Sequence, residues 1–540
     1  MKKNLLALFL LFTFVFQSSA LAQTATKEKS AARNAAESIT ASQLKDYLYF
    51  VASDEMEGRN TPSRGLDITA KFMATMLSRW GFKPAGDDGT FFQKIALSSD
   101  VIDPEQARLE IGGQRFTFGE DYLRLAGNGT AHAPLVFAKD GWFVKSKGID
   151  ALAGVDARGK ILVIAGNLSR GFLTPFPSAI TPKDLEGKKG ADWADPMTYA
   201  REKGAVGIIL VASPQTQQNW EQRKRSLSRG GMYPEKLRED SAKPLPTMLV
   251  SQKVGEAIFQ GEAKDMTSAS AFEIKKSSEV GALTKTETVY TQNVVALWEG
   301  SHPQLKAEMV AIGAHYDHDG INLNAKGEDK IWNGADDDGS GTVAVLSIAE
   351  ALAKSPKKPK RSILLVWHAG EEKGLWGSEY FNKFPTVNIK NVVAQLNIDM
   401  IGRSKKAGDT NPKNKDLSGE SEVYVIGSEM MSSKLGEVTK SVNDSFLKLN
   451  YNYKYDDPKD TNQFFFRSDH YNYAINGIPI VFWFDGVHED YHQASDHADK
   501  IDYAKMEKIT RTIFLTMWEI ADLKERPAVD KQLPPELTRR

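Results

Sequence analysis

Cysteine does not occur anywhere in the 540 residues. Its absence excludes disulfides, thiolate nucleophiles, iron–sulfur clusters and thiolate-held zinc together. Any bound transition metal must therefore rest on imidazole and carboxylate. An excess of either charge is missing too: 69 Lys and Arg stand against 70 Asp and Glu. No basic field is available to neutralise phosphates, so nucleic acid is not an expected partner. Long apolar runs are confined to one place, Leu5 to Phe16, which falls short of the roughly 20 residues that span a bilayer. Lys2 and Lys3 precede this run and Ala20-Leu21-Ala22 follows it, the three parts of a cleavable export signal at 1–22. Gln23 would become the new N-terminus, and losing both lysines takes the formal charge from −1 to −3. The expectation is an exported chain, periplasmic or extracellular, with no stable membrane anchor. Also absent is a Gly-x-Ser-x-Gly elbow.

What is present reads as folded domains. Hydrophobic residues make up 41% and charged residues 26%, too apolar for a largely disordered chain. At roughly 150 residues per domain, two to four domains are expected. Gln43 to Val51 and Leu66 to Trp80 have helical periodicity, separated by a polar loop from Asp54 to Gly65. From 98 to 275 the texture changes to short strands with turn signals, including Lys160 to Ala165 and Ala205 to Ala212. From about 285, apolar strand candidates (Asn293–Trp298, Ala307–Ala314, Ser362–His368, Val392–Asp399, Glu422–Ile426, Ile478–Phe484) alternate with helices at Thr342–Ala353, Ser432–Val442 and Tyr503–Leu523. That alternation predicts an α/β fold, a mostly parallel mixed sheet with helices on both faces. The early helices need this sheet to pack on. The expected plan is one domain built from 23–97 and 276–525, interrupted by a β-rich insertion at 98–275. An extended or frayed tail would cover 526–540.

Such sheets bind ligands beyond the carboxyl ends of their strands. Five groups of metal-competent residues fall where that rule points. One strand runs into His315-Tyr316-Asp317, and Asn333 to Gly341 (Asn-Gly-Ala-Asp-Asp-Asp-Gly-Ser-Gly) opens a helix. Further strands end at His368-Ala-Gly-Glu371-Glu372 and at Asp399, and another is followed by Asp490-Tyr491-His492 and Asp496. Each group alone has an ordinary reading as a cap, turn or solvated helix start. Their recurrence at one sheet edge points to a carboxylate–imidazole metal site.

The same groups, in this order, resemble the exported di-zinc aminopeptidases, a family that also holds glutamate carboxypeptidases and glutaminyl cyclases. The similarity covers about 41–95 and 285–525, while 98–275 resembles an inserted protease-associated domain. The resemblance implies a zinc exopeptidase-like fold and two Zn²⁺ per chain, with Co²⁺ or Mn²⁺ as possible substitutes. His315, Asp337, Glu372, Asp399 and His492 would be the metal ligands. Asp337, four positions before Gly341, would bridge both ions, and the Asp337–Asp338 peptide resembles one that is cis in the family. Glu371 would be the general base acting on a di-zinc-bridged hydroxide. Tyr491 would stabilise the oxyanion, Asp317 would orient the His315 ring, and Asp496 would support His492. His318 competes with His315 as a ligand, but His315 ends the strand and keeps the His-x-Asp spacing.

Three carboxylates and a bridging hydroxide would neutralise two zinc ions, as a partly buried centre requires. The implied function is removal of N-terminal residues from peptides with a free N-terminus. Phe464, Phe465, Phe466, Trp376, Trp483 and Phe484 are candidates for an apolar pocket. A glutamate carboxypeptidase-like activity is the alternative, with Arg403 and Arg467 as the available arginines. A glutaminyl cyclase would need fewer ligands, and an inactive receptor-like member would have lost some of them.

Overall fold

The computed structural model describes residues 31–165, 177–185, 187–227, 231–238, 244–282, 284–325 and 327–538. The export-signal segment 1–22 lies outside these residues. The chain divides into two compact units, Met1–Ile95 with Tyr290–Arg540, and Ala96–Val289.

In the first unit, helix α1 (Ala41–Val51) starts at Thr40, whose hydroxyl accepts from the Gln43 N–H while the Gln43 side chain accepts from the Thr40 N–H. Ser63 caps α2 (Arg64–Arg79) in the ordinary way, accepting from the Leu66 N–H. Strands β1 (Phe92–Ile102), β2 (Thr284–Trp298) and β3 (Met309–His315) are followed by α3 (Gly341–Lys354), β4 (Ser362–His368), α4 (Trp376–Lys383) and β5 (Val392–Ile398). Then come β6 (Glu422–Ile426), α5 (Ser433–Ser445), β7 (Asn450–Asn452), α6 (His470–Ala474), β8 (Ile480–Phe484) and α7 (Tyr503–Asp522). Among these strands the order is β1–β2–β4–β3–β5–β8–β6–β7. The central run β4–β3–β5–β8 is parallel throughout, and β2 and β6 join it antiparallel.

Alternation along each strand sorts its side chains onto two faces. Val310, Ile312, Ile363, Leu365, Leu396 and Trp483 pack with residues of α1, α2, α3, α5 and α7. Ala311, Leu364, Val366, Phe482 and Phe484 pack on the other face with α4 and α6. All residues of β3, β4, β5 and β8 are buried, as a two-sided covered parallel sheet demands. Helices α4 and α6 are additions to the elements expected from periodicity; both are short and rich in aromatic and polar residues. The tail differs from its expectation. Leu537 is 2% exposed in the second core cluster, and the Arg526 guanidinium donates to the carbonyls of Lys390 and Val392.

The Ala96–Val289 unit holds an eight-stranded mixed sheet. Its strands Gly129–Phe137, Ile161–Ala165, Gly207–Val211 and Thr247–Val250 run parallel, and helices Pro196–Glu202 and Gln252–Phe259 contribute to its two apolar cores. Among the described residues no helix is long and apolar enough to cross a membrane.

Candidate metal centre

His315 is the last residue of β3 and pairs in register with His368 at the end of β4. The two rings have different surroundings. His368 faces away from the cluster, its Nε2 3.0 Å from the Tyr473 hydroxyl and its Nδ1 3.3 Å from Asp469. His315 Nδ1 meets the Asp317 carbonyl at 3.1 Å, which turns Nε2 toward Asp337 Oδ1 (3.3 Å), Asp399 Oδ1 (3.7 Å) and Glu371 Oε2 (3.9 Å). Asp317 thus orients the ring through its backbone. Its carboxylate accepts the Glu371 N–H at 3.1 Å, tying the β3 and β4 exits together.

Asp337 lies in the segment that opens α3. The Asp337–Asp338 peptide is cis, and the backbone N–H groups of Asp336 and Asp337 donate to Asp496 Oδ2 at 2.9 and 3.2 Å. Asp496 therefore supports the bridging-position aspartate, not His492 as expected; it accepts backbone N–H groups, a role that residue spacing does not signal. Asp336 is turned away, accepting from the Gly402 N–H and facing His488 Nε2 at 3.1 Å. That geometry separates Asp337 from its neighbour. Asp338 Oδ1 accepts from the N–H groups of Gly341 and Met400, fixing the start of α3 to the end of β5. Asp399 Oδ2 accepts from the Ser468 hydroxyl at 2.6 Å, and Asn397 Nδ2 donates to that same hydroxyl oxygen at 2.8 Å.

His492 Nε2 lies 3.1 Å from Asp337 Oδ2 and 3.3 Å from Glu372 Oε2. The structure therefore brings together His315, Asp337, Glu371, Glu372, Asp399 and His492. It adds two residues. His318 Nδ1 is 2.8 Å from Glu372 Oε1, and Asp319 Oδ2 is 3.4 Å from His492 Nδ1. Three donor groups result, each with atoms within 4.8 Å of one another: His315–Asp337–Asp399, His318–Asp337–Glu372 and Asp319–Glu372–His492. Sequence spacing set His318 against His315 for one position, whereas both rings enter the cluster on opposite sides of Asp337. Beneath them Arg59, fully buried, donates to the carbonyls of Val51, Tyr316, Asn333 and Gly334 at 2.7–2.9 Å. Its partners are all backbone oxygens, so no sequence pattern marks it.

Burial and mutual charge set the protonation of this cluster. Burial pushes Glu371 well above the usual carboxylate range, His315 opposes the shift, and Glu372 and Asp399 reinforce it. Burial likewise raises Glu372, with the Asp337 charge adding to it. Asp337 goes the other way: burial is outweighed by the imidazoles of His315 and His492, and its carboxyl stays well below the ordinary value. His492 rises to about 9, since Asp337 and Glu372 overcome the cost of burying its charge. Met400 (φ 56°) and His492 (φ 52°) both take left-handed backbone conformations beside the cluster, strain of the kind held at working sites.

A cavity of about 40 Å³ opens on His315, Asp337, Glu371 and Asp399. Met400, Phe464, Phe482, Phe484 and Val487 give it apolar walls, and Tyr491 and Arg467 stand beside them. The Tyr491 hydroxyl accepts from Arg467 Nη2 at 3.1 Å. Of the pocket candidates, Phe464 and Phe484 are lining residues, whereas Trp483 is buried on the opposite face of the sheet. Trp376, Phe465 and Phe466 are not among the lining residues.

Residues 293–517 match the model of peptidase family M28. The chain is 27% identical over 227 residues to a probable leucine aminopeptidase of Trichophyton verrucosum, covering 41% of this chain and 56% of that one. A probable leucine aminopeptidase of Arthroderma otae is 28% identical over 228 residues, with the same coverages. The chain thus spans about half the length of the curated relatives it matches. Among solved structures, an aminopeptidase from Aneurinibacillus sp. superposes with a TM-score of 0.50 at 16% identity. That superposition covers 93% of this chain and 98% of the other, and it shows that the two share a fold.

Proposed function

We propose that the chain is a metalloaminopeptidase, hydrolysing N-terminal residues from peptides at a pair of divalent cations of the zinc class. The convergence of His315, Asp337, Glu372, Asp399 and His492 around Glu371 at the parallel strands' carboxyl ends carries this reading. The residues fit such ions. All donors are nitrogen or oxygen, His315, His318, Asp337 and Asp399 are buried, and His318 Nδ1, His318 Nε2 and Glu372 Oε1 lack hydrogen-bond partners. Asp337 offers one oxygen to each side of the cluster, as a bridging carboxylate must. When bound, two such cations supply Lewis acidity toward a peptide carbonyl and acidify water.

The chain's own residues supply the rest. Glu371, held by its N–H to Asp317, takes a proton from the attacking water at its carboxylate. It returns that proton to the leaving amine. Tyr491, with Arg467 donating to its hydroxyl, presents its own O–H to the developing oxyanion. The apolar walls of Met400, Phe464, Phe482 and Phe484 suit an uncharged first side chain.

A carboxypeptidase needs basic residues to hold a terminal carboxylate. Arg403 is not available for this, being buried and paired with Asp490 at 2.9 Å. Arg467 alone remains, at the cavity wall. We also read residues 1–22 as a cleaved export signal, which makes the protein periplasmic or extracellular. The Ala96–Val289 unit we read as a protease-associated insertion.

Glu371→Gln tests the mechanism. Metal content should be unchanged while turnover of aminoacyl-nitroanilides falls by about 10²–10⁴-fold. Unchanged turnover removes Glu371 from the chemistry, and activity only on peptides with blocked N-termini replaces the aminopeptidase by the carboxypeptidase.

A further inference from the structure

His318 is 0% exposed, and neither ring nitrogen has a hydrogen-bond partner. Its backbone is fixed, the N–H donating to the Arg59 carbonyl at 3.2 Å. Its ring lies against Gly334, where a Cβ would come within 2.5 Å of Cγ and 2.6 Å of Cδ2. Gly334 has φ 57°, so both its backbone and the ring it backs require glycine there. An imidazole brought wholly inside the protein, wedged in one orientation and left without a hydrogen bond at either nitrogen, needs a reason.

Its position supplies one. Nδ1 stands 2.8 Å from Glu372 Oε1 and 3.9 Å from Asp337 Oδ2. Glu372 Oε1 is itself without a hydrogen bond, so the close approach is not an N–H directed at an acceptor. Two donor atoms with lone pairs converging at such a distance are arranged to share a cation. We infer that His318 is a metal ligand, contributing Nδ1 to the ion that Asp337, Glu372 and His492 hold.

This inference rests on the two-cation reading of the cluster, and it makes the two positions unequal. One position then has four protein donors, Asp337, Glu372, His318 and His492, a full tetrahedral set. The other has three, His315, Asp337 and Asp399, and keeps a position free beside Glu371. The four-donor ion would be the tightly held one, and the three-donor ion would be the more readily removed.

The test is a zinc titration of wild type and His318→Ala against a chromogenic chelator, with a zinc-loaded crystal structure of the wild type. Wild type should bind two zinc ions, one far more tightly. In H318A that tight step should weaken by more than the about 10–100-fold that loss of an outer partner costs. In the structure His318 Nδ1 should lie about 2.0–2.1 Å from one zinc. A His318 ring clear of both ions overturns the inference, as does an H318A titration matching wild type. A wild type that takes up no zinc instead overturns the two-cation reading beneath it. The wild-type structure decides the question even if H318A fails to fold.

Discussion

Glu371 and Glu372 are adjacent in sequence and meet different neighbours, Glu371 facing His315 and Glu372 facing His318 and His492. Which of the two is base and which is ligand was implied only by the family resemblance; that the pair follows a strand end was legible. His318 was not, since a reading that allots one histidine to the strand exit discards the second. A buried residue outside the centre gives a separate test of local environment. His470 stacks on Phe482, ring centroids 4.5 Å apart, and burial lowers its pKa to about 3. In the unfolded chain it titrates near 6.5. Between these values the unfolded state binds a proton that the folded state refuses, so its contribution is full above 6.5 and is lost as pH falls toward 3. Denaturant unfolding of His470→Phe should lose up to about 1.4 kcal/mol per pH unit of slope in that window. Identical slopes in wild type and variant would remove His470 as the cause.

The element that organises the centre is the start of α3. Asp338 Oδ1 joins Gly341 of this helix to Met400 beyond β5, and Ser340 Oγ accepts from the Ile401 N–H. A Cβ at Gly341 would lie 2.4 Å from both Asp338 Oδ1 and the Ile398 carbonyl. Gly341→Ala should cost about 1–3 kcal/mol in urea unfolding and loosen zinc binding with it. A variant equal to wild type in both would show that this junction yields freely. Strands β3, β4, β5 and β8 were visible in sequence because full burial leaves continuous apolar runs. Helices α4 and α6 were not, being only eight and five residues long. The tail's attachment was also hidden, since Leu537 is one apolar residue among prolines and charges.

For the molecule as a whole, binding that favours the folded state raises stability in proportion to ligand excess. Each zinc at a hundredfold excess over its Kd should add about 2.7 kcal/mol, and EDTA should remove it. Calorimetry with zinc and with chelator should show well-separated melting temperatures; coincident transitions would mean that metal binding and folding are independent. Met1–Ile95 and Tyr290–Arg540 form one compact unit; that the early amphipathic helices need a sheet from later in the chain could be read from sequence. The ties that complete it could not, because they run from side chains to carbonyls.

Arg59 has a consequence for any attempt to shorten the protein. It comes from the stretch before the Ala96–Val289 unit, yet three of its four acceptors, Tyr316, Asn333 and Gly334, lie in the loops that carry His315 and Asp337. Excising residues 290–538 as a minimal catalytic fragment would strip those loops of the guanidinium that staples them. Such a fragment should be recovered insoluble or fail to retain zinc on gel filtration, and supplying residues 31–95 in trans should restore both.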